Sequence, residues 1–251
     1  VRGNGYTGIA AIPGADPDIY KVGNPVSAEI IWTDLVSEEE NLDDYFILGP
    51  AVVEGRLFFN VVPTSPTDKS LKREGNVVVG VRDAEGNLLW TWHIWLTDRP
   101  AEQGYKNGFS VQDRDLGATA YNPIGDEGTI NGLYYQWGRP TPLPLDKTVY
   151  KPVYDSSTGK WSRNDVATFQ DDPESVIPIV ERVAYPTTFF KKTATASDQK
   201  LTKHLWGWRT ETDEYAKSIY DPCPPGYRVP SIKLWRDLVI WDFWHILHTW
   251  R

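Results

Sequence analysis

Apolar positions dominate four stretches of the first hundred residues. Each shows the two-residue alternation or the short continuous run of a β-strand, not a helical period. They are 27–35 (SAEIIWTDL), 51–62 (AVVEGRLFFNVV), 76–83 (NVVVGVRD) and 87–98 (NLLWTWHIWLTD), rich in Val, Ile, Phe and Trp. The loop 83–87 (DAEGN) predicts a hairpin between the last two. The stretch 41–48 (NLDDYFIL) fits either a strand or a loop. Short strands punctuated by turn formers predict a β-sandwich over residues 1–98.

The strand at 88–97 sorts its own side chains. Alternation sends Leu88, Trp90, Trp92, Ile94 and Leu96 to one face and Leu89, Thr91, His93, Trp95 and Thr97 to the other. The first face is wholly apolar. Burying two tryptophans at ~150–250 Å² each, at ~25 cal/mol per Å², is worth a gross ~8–12 kcal/mol before entropy. Trp90 and Trp92 are therefore expected in the core. Trp95 and His93, on the mixed face, are candidates for lining a ligand site or a seam between domains.

Beyond residue 98 the pattern changes. Residues 99–112 (RPAEQGYKNGFSVQ) lose the alternation and read as a connection, with the linker placed at 99–108. Residues 113–230 are rich in Gly, Pro, Asp and aromatics but poor in long periodic runs, which predicts a loop-heavy α+β domain over 109–251. One helix is expected, at 230–247 (PSIKLWRDLVIWDFWHIL). Pro230 and Ser231 open it, and Leu234, Trp235 and Leu238 recur at helical spacing. The fold class expected is mixed β and α+β.

Composition narrows the function classes. With 251 residues, 40% hydrophobic and 24% charged, the chain can bury a sizeable core. A net charge of −8, with 26 scattered basic residues, speaks against a nucleic-acid partner. No run of 18 apolar residues predicts a spanning helix, and the first residues (VRGNGYTGIAAIPG) lack a signal-peptide layout. The absence of methionine suggests a processed or excised segment, which leaves room for an export signal removed beforehand. Cys223 is alone, which rules out an internal disulfide and a cysteine-rich zinc site. Twelve tryptophans and thirteen tyrosines suit sandwich cores and also sugar- or protein-binding surfaces.

Several stretches carry a resemblance. Residues 76–98, followed by DRDLGA (113–118) and GLYYQWGRPTPLP (132–144), resemble a segment of fimbrillin-like surface proteins of the Bacteroidetes. YDPCPPGYRVPSIKLWRDL (220–238) resembles the signature of the Fibrobacter succinogenes major paralogous domain, related in fold to C-type lectins and formylglycine-generating enzymes. The resemblance implies an exported cell-surface protein with an N-terminal β-sandwich and a C-type-lectin-like α+β domain. Two departures stand out. Members of the family carry a second cysteine that would pair with the one at Cys223, and they continue past the helix with further strands. The second domain is therefore expected to be incomplete at its C-terminus.

Each chemical motif has a plainer structural reading. Tyr134, Tyr135 and Trp137 lie between two glycines, and Trp206 and Trp208 are expected on one side of a short strand in HLWGWRTET (204–212). Both sets can stack sugar rings, and both can be scaffold. Asp113 and Asp115, two apart, can share a face for acid–base chemistry, or Arg114 can neutralise a nearby acid. Acidic loops at Asp16–Asp18 and at 171–174 lack the sugar-binding calcium motifs of C-type lectins, and His245 and His248 lack a third ligand. Nucleophile-elbow, phosphate-loop and dinucleotide patterns are missing. No metal, cofactor or catalytic group is expected. The first expectation is a non-enzymatic adhesin or fimbrial tip-like component at the cell surface or outer membrane. Its partners would be other surface or fimbrial subunits, or a host or dietary glycan. The alternatives are a carbohydrate-binding module of a polysaccharide-use system and a degenerate relative of the formylglycine-generating enzymes.

Overall fold

The computed structural model describes residues 22–35, 47–61, 74–105, 108–121, 129–144, 148–155, 157–158, 160–166, 170–172, 177–190, 204–209, 215–231 and 234. Among them the chain is mostly β-strand, in small and mainly antiparallel sheets, with almost no helix. The helix expected at 230–247 lies outside the described residues apart from 230, 231 and Leu234, whose N–H closes a turn on the Ser231 carbonyl.

The first half supplies β1 (Ser27–Thr33), β2 (Ile47–Val53), β3 (Arg56–Val61), β4 (Gly75–Arg82) and β5 (Leu88–Leu96), then β6 (Glu102–Gly104) and β7 (Ser110–Gln112). The second half adds β8 (Tyr134–Tyr135), β9 (Pro142–Leu143), β10 (Tyr150–Asp155), β11 (Lys160–Asp165), β12 (Gln170–Asp172), β13 (Thr188–Phe190), β14 (Trp208–Arg209) and β15 (Tyr215–Ala216). A 3-10 helix, Ile179–Ala184, precedes β13.

The main sheet has five strands in the order β11-β10-β1-β4-β5. Its outer strands on one side come from 150–165, beyond the expected linker, so sheet and core run across the boundary drawn from composition. Residues 99–112, read as a connection without strand, carry the antiparallel pair β6–β7.

Two local readings are corrected. Residues 51–62 are not one strand. Glu54 (φ 49°) and Gly55 (φ 70°) form a two-residue turn that folds β2 back on β3. Positive φ at both centres is what a hairpin loop of this length needs, and the glycine makes it accessible. Leu88 does not share the Trp90 face. The register passes from Val81↔Trp90 to Arg82↔Leu88, so Leu89 is an extra residue in a β-bulge. Leu88 consequently packs with Ile31, Trp32, Val78 and Val149, while Leu89 packs with the Trp90 cluster.

Both faces of the sheet are covered. On one, Ile30, Val77, Val79, Val81 and Trp90 meet Val52, Leu57 and Phe59 of the β2–β3 hairpin, and Trp90 and Val81 cluster with the distant Val183, Leu205, Ile219 and Tyr220. The Trp90 and Tyr220 rings lie 5.6 Å apart. Trp90 is buried and Trp92 partly buried against this cluster, as the alternation predicts. The opposite face is closed by Leu133 and Val149 against Trp32, Val78 and Leu88.

Candidate functional site

The mixed face of β5 is held by polar contacts with the chain that covers it. Thr91 shares a hydroxyl–hydroxyl hydrogen bond with Thr141, and the Trp95 indole Nε1 donates to the Ala118 carbonyl at 3.1 Å. Thr97 receives a bond from Arg114 Nη1 at 3.2 Å. The expected candidates His93 and Trp95 thus face the 113–143 segment.

His93 sits in a chain of directed bonds. Asn76, fully buried on β4, donates from Nδ2 to Asp34 Oδ2 at 2.6 Å and to the Gly117 carbonyl at 2.9 Å. Both amide protons are then used, and Oδ1 must accept. His93 Nε2 lies 2.8 Å from that oxygen and so carries the proton, which leaves Nδ1 to accept from the Tyr135 hydroxyl at 3.0 Å. Burial, and then the nearby Cys223, push the Tyr135 phenol well above its ordinary pKa, so it stays a donor. Gly117 closes the arrangement. Its φ is +90°, and a Cβ there would come within 2.6 Å of Leu133 Cγ and 3.1 Å of Asn76 Oδ1.

Beside this chain lies a partly open cavity of about 280 Å³, lined by His93, Ile94, Trp95, Leu116, Lys217 and the run Pro222–Pro225. It joins the tryptophan strand to the DPCPPG motif, over a hundred residues further on, and no periodicity in either stretch signals that contact. The motif is shaped by Asp221, which is fully buried. Its carboxylate accepts from Lys217 Nζ at 2.7 Å and from the backbone N–H groups of Cys223 at 2.8 Å and Val229 at 3.0 Å. Lys217 Nζ also donates to the Cys223 carbonyl at 2.7 Å. Burial first, and the Asp221 charge second, push the Cys223 thiol far above its ordinary pKa, with Lys217 opposing. The thiol is therefore neutral and a poor nucleophile.

The remaining candidates gather elsewhere. Trp137 and Trp206 meet with ring centroids 4.9 Å apart and planes inclined at 59°. Trp137 is 43% exposed and Tyr134 50%, whereas Tyr135 turns inward to His93. Trp206 belongs to the turn preceding β14, not to a strand shared with Trp208. The Trp208 side chain lies outside the described residues, as do Asp16, Asp18, Pro173, Glu174, His245 and His248. Asp113 and Asp115 do not converge. Arg114 clamps Asp113 with bonds of 2.8 and 3.3 Å, while Asp115 is exposed.

Sequence reasoning missed a cluster behind Trp137. Arg139 is fully buried and donates to the Thr188 carbonyl at 2.5 Å and the Tyr185 carbonyl at 2.6 Å. Burial, followed by repulsion from Arg182, lowers its pKa to about 10. Both guanidinium groups lie over Phe190, Arg182 at 4.8 Å and Arg139 at 5.7 Å. The cluster fixes the loop that presents Trp137. Its only signal in the sequence is the basic residue in GRP, which looks like an ordinary surface arginine.

Among the described residues no three His, Cys, Asp or Glu side chains converge to hold a metal, and no helix is long and apolar enough to cross a membrane. No family model, curated protein or solved structure matches the chain.

Proposed function

We propose that this chain is a non-enzymatic adhesin, a fimbrial or tip-like component exported to the cell surface, that grips a glycan partner through the Trp137–Trp206 pair. The observation that carries this reading is that contact: two tryptophans from segments far apart in sequence meet, Trp206 partly buried against the core cluster while Trp137 keeps 43% of its area in water. An indole in that position offers a flat apolar face to the C–H side of a pyranose ring. A rigid backing of buried arginines on Phe190 holds the loop, which lowers the entropy lost on binding. By contrast His93 and Lys217, which line the cavity, are each bonded to neighbours behind it: His93 to Asn76 and Tyr135, Lys217 to Asp221. That favours binding over catalysis. The resemblance of 76–98 and 220–238 to surface-protein segments supplies the expectation of export, and with it the finer division into a sandwich and a lectin-like domain.

The experiment is a glycan array on the purified chain with surface labelling of the producing cells, repeated with Trp137→Ala. Retention lost in the variant, with accessible wild-type protein on intact cells, supports the reading. An intracellular location, or glycan retention unchanged by the substitution, sinks it. Retention on polysaccharide gels without attachment to cells would favour the carbohydrate-binding module.

A further inference from the structure

The free edge of β5 offers a site of a different kind. Among the described residues the strand pairs only with β4, and β4 shows which of its residues face that way. Asn76 turns its N–H to Asp34 Oδ1 at 2.6 Å and its carbonyl to the Asp34 N–H at 3.1 Å, toward β1. The alternate residues Val77 and Val79 therefore face β5, where they pair with Ile94 and Trp92. The backbone N–H and carbonyl of Trp95 consequently point the other way, off the sheet, at a residue that lines the cavity. Among the described residues no backbone or side-chain group bonds them.

The proline wall has no free N–H to offer the Trp95 carbonyl, and among the described residues none of its carbonyls bonds Trp95. Pro222, Pro224 and Pro225 have no N–H, the Cys223 N–H is spent on Asp221, and the Cys223 carbonyl is taken by Lys217. The chain thus brings a covering segment to an unpaired strand edge and keeps it from closing the ladder. A space of about 280 Å³ remains, just under the ~300–1,000 Å³ of pockets that enclose drug-sized ligands.

We infer that this cavity binds a short extended peptide, one residue of which exchanges both backbone hydrogen bonds with Trp95 while its apolar side chain packs against Ile94, Leu116 and the proline wall. Strand addition at a sheet edge draws affinity from such main-chain bonds and selectivity from the adjoining pocket. The site takes a residue or two, and it is independent of the Trp137–Trp206 surface.

The test uses the full chain labelled with nitrogen-15 and titrated with acetyl-alanyl-leucyl-alanine amide. The expected result is a saturable shift of the Trp95 backbone amide, weakened at least tenfold when the leucyl nitrogen is methylated and cannot donate. Leu116→Trp, which fills the cavity, should abolish the shift, and Trp137→Ala should preserve it. Three outcomes overturn the inference: no movement of the Trp95 amide, equal binding of the methylated peptide, or a Trp95 shift produced by N-acetylglucosamine and not by the peptide. Because methylation changes the ligand alone, the result stands even if Leu116→Trp fails to fold.

Discussion

His93 Nε2 donates to Asn76 Oδ1 across 2.8 Å, and the bond runs in that direction because Asp34 and the Gly117 carbonyl occupy both protons of the Asn76 amide. A carboxylate on the chain after β1 thereby sets the tautomer of a histidine on β5. Replacing Asn76 by Ala would remove the side-chain partner of Asp34 Oδ2, of the Gly117 carbonyl and of His93 Nε2 at once, while Asp34 Oδ1 keeps its bond from the residue's backbone N–H. At ~1–3 kcal/mol for a stranded buried polar group, the loss should reach about 3 kcal/mol, a large share of the ~5–15 kcal/mol that holds a domain together. Urea unfolding of Asn76→Ala should show a lower midpoint at an unchanged slope. A midpoint within error of wild type would mean that water replaces the amide at no cost.

Glu29 ties three adjacent strands, accepting from Arg82 Nε on β4 and Lys151 Nζ on β10, each at 2.5 Å. Burial raises the pKa of its carboxyl, but the bonds and charges of Lys151 and Arg82 outweigh that and hold it below the ordinary value of 4.5. A depressed pKa means the unfolded chain binds the proton more readily. The stabilisation is therefore complete above about pH 4.5 and disappears as pH falls through the lower, folded value. Both cationic partners are about one-third exposed, so solvent screening limits the pair to roughly 1 kcal/mol or less. Glu29→Gln should lower the urea midpoint slightly at pH 7, and its difference from wild type should shrink as pH falls below 4.5. A variant that loses more stability in acid than at neutrality would contradict the sign.

The tryptophan strand was legible because alternation survives wherever a strand has one apolar face: Trp90 and Trp92 lie where the pattern puts them. Leu88 was misread because one inserted residue, Leu89, inverts every alternation on its far side, and a bulge leaves no mark in composition. The β2–β3 turn was written in the sequence as Glu54-Gly55, but apolar residues on both sides hid it inside what looked like one long strand. The strand β10 contains Pro152, which breaks the expected pattern of a sheet member, yet it joins the main sheet. Least legible was the cavity. Its two walls come from local motifs, and only long-range packing sets them opposite each other.

Cys223 gives a chemical readout of that wall. The thiolate is the reacting form, and burial together with the Asp221 charge keeps the thiol protonated. At pH 8 the folded chain should react with a disulfide reagent at least ten times more slowly than the chain unfolded in urea. Equal rates in the two states would mean that the DPCPPG wall does not shield the sulfur.

The same wall depends on the pair Lys217 and Asp221, and the two partners are not equivalent. Lys217 loses a carboxylate and gains nothing if Asp221 is removed, and the N–H groups of Cys223 and Val229 lose their acceptor as well. If Lys217 is removed instead, Asp221 keeps both backbone donors. Breaking a buried pair from one side costs ~3–5 kcal/mol, and each hydrogen bond to a charged group is worth ~1.5–3 kcal/mol. Asp221→Leu should therefore fall at or above the top of the first range and Lys217→Met near its bottom. In the double variant no buried charge is left, so it should be more stable than Asp221→Leu alone, although the two orphaned N–H groups keep it below wild type. Urea midpoints of the four proteins give the coupling directly. Equal losses from the two single variants would show that the backbone bonds to Asp221 contribute nothing, and that the ion pair alone shapes the proline wall.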